Sequence, residues 1–337
     1  MSAAKPKLAI YWASGCGGCE IAFANLGERL LEATEVVDFV FCPCLLDGKR
    51  KDVEALADGE IAITLFDGAI RTDENEDWAR LMRRKSGILV ALGACAHGGG
   101  IPALSNLHTR ADHLHNIYFA QAENPERTLP CQTHVVQVPE GTLEMPVFLE
   151  RVKRLADVVP VDYAIPGCPP ETDQIWNALH ALIGAGPLPP HGSVLGAGAA
   201  NVCAECTRKS SDKRVSAFRR VWEFEPDPAL CLVEQGVACM GMVTRGGCGG
   251  LCPQVQMPCI GCYGPPEGVY DQSAKMVSVL GSVLDIDPIR NLRSKTAIND
   301  SVDASLDGLV DIAGLAGKFH LLRGPVGGPS APRKDQP

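Results

Sequence analysis

Cysteine is the residue type with the clearest chemical potential in this chain. The sequence holds 15 cysteines among 337 residues, which is too sparse for a small disulfide-stapled domain and too many for ordinary use in a core. Most of them fall into an early set of four and a later set of eight. The early set is Cys16, Cys19, Cys95 and Cys168, and the later set is Cys203, Cys206, Cys231, Cys239, Cys248, Cys252, Cys259 and Cys262. Clustered cysteines in a reducing compartment more often bind metal or do redox chemistry than form disulfides.

The early set follows apolar runs that predict β-strands. Such runs occur at 7–13, 36–41, 61–66, 88–92 and 158–165. In open α/β sheets the loops at the carboxyl ends of the strands converge on the ligand, so we expect Cys16, Cys19, Cys95 and Cys168 to form one tetrahedral site. An iron–sulfur cluster and a zinc ion both suit four cysteines. A redox dithiol at Cys16 and Cys19 is a third interpretation, but it leaves Cys95 and Cys168 unexplained.

The elements that must position this site alternate between strand and helix. Helical patterns lie between the predicted strands, over Glu20–Glu32, Glu76–Arg84 and Pro146–Ala156. The alternation predicts an α/β fold with a flavodoxin-like or Rossmann-like parallel sheet. On the pattern of the later cysteines, we expect a small irregular ferredoxin-like iron–sulfur domain after it. The predicted divisions are a flavodoxin-like domain over 1–182, a Gly/Pro/Ala-rich linker over 183–200, a two-cluster iron–sulfur domain over 201–270, a helical C-terminal extension over 271–322 and a disordered tail over 323–337.

The later set lies in a segment that offers little else to hold it together. Between residues 235 and 266 the only charged side chain is Arg245, and apolar periodicity is weak. We expect little conventional core there, so two four-cysteine clusters would supply the cross-links, because free energy of metal binding becomes free energy of folding. Two zinc ribbons or free buried cysteines are the alternatives, although the spacing lacks the rhythm of paired zinc motifs. Spacing does not decide which four cysteines share a site, since the ligands of two clusters can interleave.

Composition narrows the class of protein. Hydrophobic residues make up 46% and charged residues 21% of the chain, and the formal net charge is -9. This profile is typical of a soluble globular protein and disfavours nucleic acid as a partner and insertion into a membrane. The N-terminus shows neither a signal pattern nor a twin arginine, so we expect a cytoplasmic protein. We find no Ser/His/Asp arrangement and no phosphate-binding loop, and we therefore assign no catalytic residue.

Four motifs give the chain a resemblance to a known family: WASGCGGCE, LGACAHGGGIPAL, IPGCPP and LVEQGVACMGMVTRGGCGGLCPQVQMPCIGCYGPP. From about Lys7 to Pro266 the chain resembles the small, iron–sulfur subunit of a [NiFe] hydrogenase. It is most similar to the cytoplasmic methyl-viologen-reducing, heterodisulfide-reductase-associated type. The motifs together are highly specific, whereas GCGGC alone would not be. The resemblance implies three [4Fe–4S] clusters in this chain and a nickel–iron centre in a separate large subunit.

The resemblance also implies how the cysteines are grouped. The proximal cluster, nearest the partner's nickel–iron centre, would be bound by Cys16, Cys19, Cys95 and Cys168. The medial cluster would be bound by Cys248, Cys252, Cys259 and Cys262. The distal cluster would be bound by Cys203, Cys206, Cys231 and Cys239. Exported relatives often have histidine where Cys203 stands, and some relatives have proline where Cys252 stands and hold a three-iron cluster; the cysteines here predict four irons.

Three further side chains are candidates to act beside the proximal cluster. Asp67 ends the third predicted strand, where an acidic residue touches the cluster in some relatives; a solvated loop carboxylate is the alternative. His97 adjoins Cys95 and could donate a hydrogen bond to a cluster sulfur, or it could be a plain loop histidine. Glu20, beside Cys19, could help to move protons at the subunit interface or could simply complement the helix dipole.

Some residues of suitable chemistry belong to no complete set. The remaining cysteines are Cys42, Cys44 and Cys131. We interpret them as structural cysteines, with a redox-sensing or assembly role as the alternative. A histidine trio consists of His108, His113 and His115. The trio lacks carboxylate support, so we predict no metal there.

The predicted function is electron transfer within an oxidoreductase. By the resemblance, dihydrogen would be oxidised in the large subunit, and this chain would pass the electrons through its three clusters to an acceptor subunit, of the heterodisulfide-reductase type or another. One alternative is the matching subunit of a deazaflavin-reducing hydrogenase. Another is the cluster subunit of a respiratory quinone-reducing complex, although such relatives lack the second cluster domain and have adjacent cysteines in place of Cys16-x-x-Cys19. A zinc-stabilised, non-redox interaction scaffold is the alternative from a different functional class.

Overall fold

The computed structural model describes residues 5–120, 134–184, 186–211, 213–285 and 312–319. The described chain forms two compact units, one within Met1–Gly196 and one within Ala197–His320. Cys131 and the predicted tail over 323–337 lie outside the described residues. In the part of the chain that the structure describes, no helix has both the length and the apolar character needed to cross a bilayer.

A parallel sheet of five strands forms the centre of the first unit. Its strands, from one edge to the other, are β2 (Asp38–Phe41), β1 (Lys7–Trp12), β3 (Ile61–Asp67), β5 (Ser86–Leu92) and β9 (Tyr163–Ile165). All four neighbouring pairs are parallel. Counted in chain order the arrangement is 2-1-3-4-5, which is the flavodoxin-like order. The predicted flavodoxin-like sheet is confirmed, and the Rossmann-like alternative is not the order observed.

Helices pack on both faces of this sheet because both faces of its strands are apolar. In β1, Leu8 and Ile10 belong to one buried cluster, whereas Ala9 and Tyr11 belong to the other. The same alternation continues in the central strands, as expected for a parallel sheet covered on both sides. The described α-helices of this unit are α1 (Gly18–Ala24), α2 (Glu28–Val36), α3 (Arg50–Glu54), α4 (Asp73–Lys85), α5 (Gly93–Gly98), α6 (Arg110–His115) and α7 (Thr172–Ile183).

Two short antiparallel pairs accompany the main sheet. They join β4 (Ile70–Thr72) to β8 (Phe148–Lys153), and β6 (Val135–Val138) to β7 (Gly141–Glu144). The predicted helix over Pro146–Ala156 is therefore wrong. Its apolar residues recur at a helical spacing, but pairing of this segment with β4 overrides that local pattern. The predicted strand at 158–165 is confined to β9.

The predicted helix over Glu20–Glu32 is split in two. Helix α1 ends at Ala24, and α2 begins at Glu28 after Gly27, whose φ is 60°. Only glycine adopts such a conformation at little cost, so the chain changes direction there. The predicted helix over Glu76–Arg84 is confirmed by α4, which Thr72 caps through a hydrogen bond from the Asn75 N–H.

Asp162 joins the start of β9 to neighbouring elements. Its Oδ2 accepts hydrogen bonds from Arg83 Nη1 at 2.5 Å and from the Leu89 N–H at 2.7 Å, and its Oδ1 lies 2.8 Å from His191 Nε2. Burial opposes ionisation of Asp162, but these donors outweigh it and lower the pKa of the carboxyl below its usual value. The ionised form therefore stabilises this corner of the unit.

The second unit consists of short helices and irregular chain. Its described α-helices are α8 (Leu251–Gln254), α9 (Gln272–Val283) and α10 (Ile312–Gly317), and its 3-10 turns are Val202–Ala204, Val233–Gln235 and Met240–Val243. Contrary to the expectation of little conventional core, an apolar cluster is present. It includes Phe218, Met240 and Val243, and α9 contributes Met276 and Leu280. This core has no signature in the local sequence pattern because its members come from separate segments.

Candidate metal centres

The early cysteines lie at one edge of the parallel sheet. Cys16 is in the loop after β1, Cys19 is in the first turn of α1, Cys95 is in α5 directly after β5, and Cys168 follows β9. Because the strands are parallel, these four positions share the carboxyl edge of the sheet. Cys16 and Cys19 follow β1, and β1 and β3 flank the point where the strand order reverses.

Backbone contacts draw the loops of this edge together. The Ala94 N–H donates to the Gly167 carbonyl at 2.7 Å, which joins the loop of Cys95 to the loop of Cys168. The Ala13 N–H donates to the Asp67 carbonyl at 2.8 Å, which joins the loop of Cys16 to the end of β3. A methyl group added at Gly93 would lie 2.4 Å from Cys19 Sγ and 3.5 Å from Asp67 Oδ1. Gly93 therefore provides the space in which the Cys19 sulfur sits.

The pKa shifts of the cysteines also indicate that these loops lie close together. The pKa of Cys95 is raised to about 12, chiefly by burial and then by the Asp67 carboxylate, Cys168 and Cys16, in that order of importance. Burial also raises the pKa of Cys19, and the charge of Asp67 is again the second cause. The structure thus brings all four cysteines of the predicted proximal set together around Asp67. Iron binding there would have to displace thiol protons.

The candidate side chains beside the proximal set have different environments. Asp67 is only 2% exposed, so it is not a solvated loop carboxylate. Glu20 is 5% exposed, and its carboxyl group lies beside that of Asp67. Burial and then the charge of Asp67 raise the pKa of Glu20 to about 8. His97 lies on the same short helix as Cys95 and is partly buried.

Four of the later cysteines line one cavity in the second unit. The cavity has a volume of about 190 Å³, and its walls include Cys203, Cys206, Cys231 and Cys239. The pKa of Cys203 is raised to about 12, chiefly by burial and then by the neighbouring thiols of Cys239, Cys231 and Cys206. This set is the predicted distal group. Its members come from three separate segments, yet they line one common cavity.

Arg208 holds the segments around this cavity, and sequence reasoning missed it. Its Nη1 donates to the carbonyls of Asp227 at 2.6 Å and Leu230 at 2.9 Å, directly before Cys231. Its Nε donates to the Pro253 carbonyl at 3.0 Å, next to Cys252. One guanidinium thereby satisfies three carbonyls of irregular chain. Its position two residues after Cys206 was the only available signal.

The predicted medial cysteines are brought together less completely. Burial raises the pKa of Cys259, with Cys239 as the next cause and Cys262 as a smaller one. The Cys259 N–H also donates to Cys239 Sγ at 3.2 Å, so a medial candidate contacts a distal candidate. Cys248 precedes α8 and Cys252 lies within it.

Two polar side chains brace the predicted medial loops, and both were missed from the sequence. Glu205 accepts hydrogen bonds from the N–H groups of Gly247 at 2.6 Å and Gly249 at 2.9 Å, on either side of Cys248. Gln272, fully buried in α9, donates to the Gly261 carbonyl at 3.2 Å and to Thr244 Oγ1 at 3.1 Å. Glu205 lies inside a Cys-x-x-Cys motif, which was the one sign of its role.

The histidine trio lies on helix α6 and in the turn before it. His113 Nε2 lies 2.8 Å from the Ser105 carbonyl, and the rings of His108 and His113 are 5.8 Å apart. More generally, within the described ranges no group of three or more His, Cys, Asp or Glu side chains is arranged to hold a single metal ion. A four-iron cluster sets a different requirement, because each of its four cysteines binds its own iron.

Comparison with known proteins identifies the family. The model of the family described as NADH ubiquinone oxidoreductase, 20 kDa subunit, matches residues 16–182. The chain is 40% identical, over 82% of its length and 88% of the other protein, to the iron-sulfur subunit of an F420-non-reducing hydrogenase from Archaeoglobus profundus. It is 32% identical, over 91% of its length and 92% of the other protein, to the corresponding F420-non-reducing hydrogenase subunit from Methanothermobacter marburgensis.

A solved structure shares the fold. A chain of the H2-activated [NiFeSe]-hydrogenase of Dm. baculatum aligns with a TM-score of 0.51 and 20% identity, covering 79% of this chain and 96% of that one. The family assignment rests on the sequence relatives and not on the shared fold, because the relatives match both units at 32% to 40% identity. The chain therefore belongs to the 20 kDa NADH ubiquinone oxidoreductase subunit family, in its [NiFe] hydrogenase small-subunit type, and it is the electron-transfer small subunit of a hydrogenase.

Proposed function

We propose that this chain carries three [4Fe–4S] clusters and passes electrons from dihydrogen, oxidised at the nickel–iron centre of a large subunit, to a separate acceptor subunit. The clusters supply one-electron redox chemistry when bound. The protein's part is to hold four thiolates at each site, to bury them and to set the charge around them. The five-part division of the chain, with the clusters in 1–182 and 201–270, belongs to this proposal.

The observation that carries the proposal is the cavity of about 190 Å³ walled by Cys203, Cys206, Cys231 and Cys239. Four soft sulfur atoms around one cavity fit the donor set of a cubane cluster. The proximal set supports it independently, since Gly93 leaves room for the Cys19 sulfur and Asp67 lies among the thiols. The medial set rests on the family resemblance and on the neighbouring positions of Cys259 and Cys262.

We further propose that the acceptor is not a deazaflavin-dependent protein. The two archaeal relatives are named as F420-non-reducing hydrogenases, and F420 is a deazaflavin. A heterodisulfide-reductase-type subunit remains the acceptor implied by the resemblance. We place the complex in the cytoplasm, where thiols stay reduced and available as ligands.

Metal analysis of the anaerobically purified complex tests the cluster count. We expect about 12 irons per small subunit, from three clusters of four, and visible absorbance that bleaches with dithionite. Electron paramagnetic resonance of the reduced complex should show three interacting centres. The variant Cys203→Ser should lose iron, whereas Cys44→Ser, outside all three sets, should keep it. Stoichiometric zinc, or fewer than three interacting centres, would contradict the proposal.

Acceptor specificity needs a separate assay. With dihydrogen as the electron source, the intact complex should reduce methyl viologen and should not reduce free deazaflavin. The small subunit alone should reduce neither, because no catalytic residue is assigned to it. Rapid reduction of deazaflavin by the complex would favour the alternative hydrogenase type without affecting the cluster count.

A further inference from the structure

Two cysteines outside the predicted cluster sets lie against each other at the edge of the main sheet. Cys42 and Cys44 flank Pro43 in the loop that follows β2, the edge strand. Their sulfur atoms are 3.5 Å apart. The N–H groups of Leu45 and Leu46 both donate to the Cys42 carbonyl, at 2.9 Å and 2.7 Å, so the loop turns back tightly at this point. The turn and the proline keep the two thiols in contact.

The two thiols differ sharply in accessibility. Cys42 is completely buried and packs in the core cluster that contains Leu8 and Ile10, whereas Cys44 is exposed. Burial raises the pKa of Cys42 to about 12, and the neighbouring Cys44 contributes to the shift. A buried thiol with a raised pKa does not react with an external reagent by itself. Any exchange reaction must therefore begin at Cys44.

We propose that Cys42 and Cys44 form a thiol–disulfide exchange site whose substrate is a low-molecular-weight disulfide. In the first step the Cys44 thiolate attacks the disulfide RSSR, so that a bond forms between Cys44 and one RS group and the other leaves as RS⁻. In the second step Cys42 loses its proton and attacks the Cys44 sulfur, and the second RS⁻ leaves. The overall reaction converts two thiols and RSSR into one intrachain disulfide and two RSH, and an excess of RSH reverses it.

The second step is favoured by the geometry around the pair. The sulfurs need to approach from 3.5 Å to a bond length of about 2.05 Å, which is a small side-chain movement. Cys42 is held beside the mixed disulfide, so its attack is intramolecular and its effective concentration is high. Neither step involves a predicted cluster ligand, so the site acts independently of electron transfer.

Trypsin provides a direct test, because cleavage after Arg29 and Lys49 releases a peptide, residues 30–49, that contains only these two cysteines. The intact complex is incubated anaerobically with glutathione disulfide, alkylated with iodoacetamide under denaturing conditions, digested and analysed by mass spectrometry. We expect the peptide to lose both alkyl groups and to carry an internal disulfide. Treatment with excess reduced glutathione before alkylation should restore both alkyl groups.

Single variants separate the two roles. Cys42→Ser and Cys42→Ala should both retain one glutathione on Cys44, because nothing displaces it. Cys44→Ser should take up no glutathione, because Cys42 is buried. The proposal is overturned if the wild-type peptide remains doubly alkylated after treatment, if it retains glutathione, or if Cys44→Ser is modified as readily as Cys42→Ser.

Discussion

Replacement of Gly93 by alanine should remove the proximal cluster selectively. The added methyl carbon would lie 2.4 Å from Cys19 Sγ, and normal contact between non-bonded heavy atoms begins near 3.5 Å. The sulfur would have to move by roughly 1 Å, whereas metal–ligand distances tolerate only about 0.2 Å. Gly93 also has a φ of +78°, which costs an alanine about 1–2 kcal/mol. The clash with the Cys19 sulfur, and not the backbone strain at Gly93, should decide whether the cluster is lost.

Gly59→Ala is the matched control for this experiment. Gly59 has a φ of +75°, but nothing lies within 4 Å of an added methyl group there. Both variants therefore carry the same backbone cost, and only Gly93→Ala pushes on a cysteine sulfur. We expect about 8 irons per chain in Gly93→Ala and about 12 in Gly59→Ala, since one four-iron cluster is lost. A full complement of iron in Gly93→Ala would refute the assignment of Cys19 to a cluster at this edge.

Three other substitutions probe the surroundings of the sites. Glu205→Gln removes one charge-assisted hydrogen-bond acceptor at the Cys248 loop, which is worth about 1.5 kcal/mol. Iron release to a chelator should therefore quicken about tenfold. The control variant Glu223→Gln removes an acceptor from one N–H elsewhere in the unit, and it should release iron at the wild-type rate. Asp67→Asn removes a buried negative charge that acts on Cys19 and Cys95, so the proximal potential should rise by up to about 100 mV in a redox titration. An unchanged potential would mean that Asp67 is neutral beside the cluster. Asp162→Asn should lower the free energy of unfolding at neutral pH, because the folded-state pKa of Asp162 is depressed. The wild-type advantage should be complete above the unfolded value near 3.9 and disappear as pH falls through the folded value; denaturant titrations that show a difference independent of pH would contradict this.

The arrangement of the first unit could be predicted because topology does most of the positioning. Once alternating strands and helices predict a parallel sheet, residues that follow its strands must share one edge. Cys95 and Cys168 are 73 positions apart in the sequence, yet each needs only to follow a strand to arrive at that edge. Asp67 was found for the same reason. Local pattern alone was less reliable, as β8 shows, because an apolar spacing that suits a helix also fits a strand once a partner strand is available.

The surroundings of the sites were harder to predict because side-chain hydrogen bonds leave little trace in a sequence. Gln272 is 10 residues beyond Cys262 in the chain, and nothing in its neighbourhood distinguishes it from a surface glutamine. Only folding of α9 onto the core buries it against Gly261. The core of the second unit was missed in the same way, since Phe218 and Met276 contact a common cluster from distant segments.

The structure of the second unit also explains why cysteine spacing alone could not divide its eight cysteines into two sets. Irregular chain has no ladder of backbone hydrogen bonds, so side chains must satisfy its N–H and carbonyl groups. Here residues of the predicted distal motif brace the predicted medial loops: Glu205, between Cys203 and Cys206, accepts from the loop of Cys248, and Arg208, just after Cys206, donates to the helix that contains Cys252. Side chains next to the predicted distal cysteines thus hold the loops of the predicted medial cysteines in place. We therefore expect a substitution within the Cys203-x-x-Cys206 motif to disturb the predicted medial set as well, so that the two sets fold as one unit.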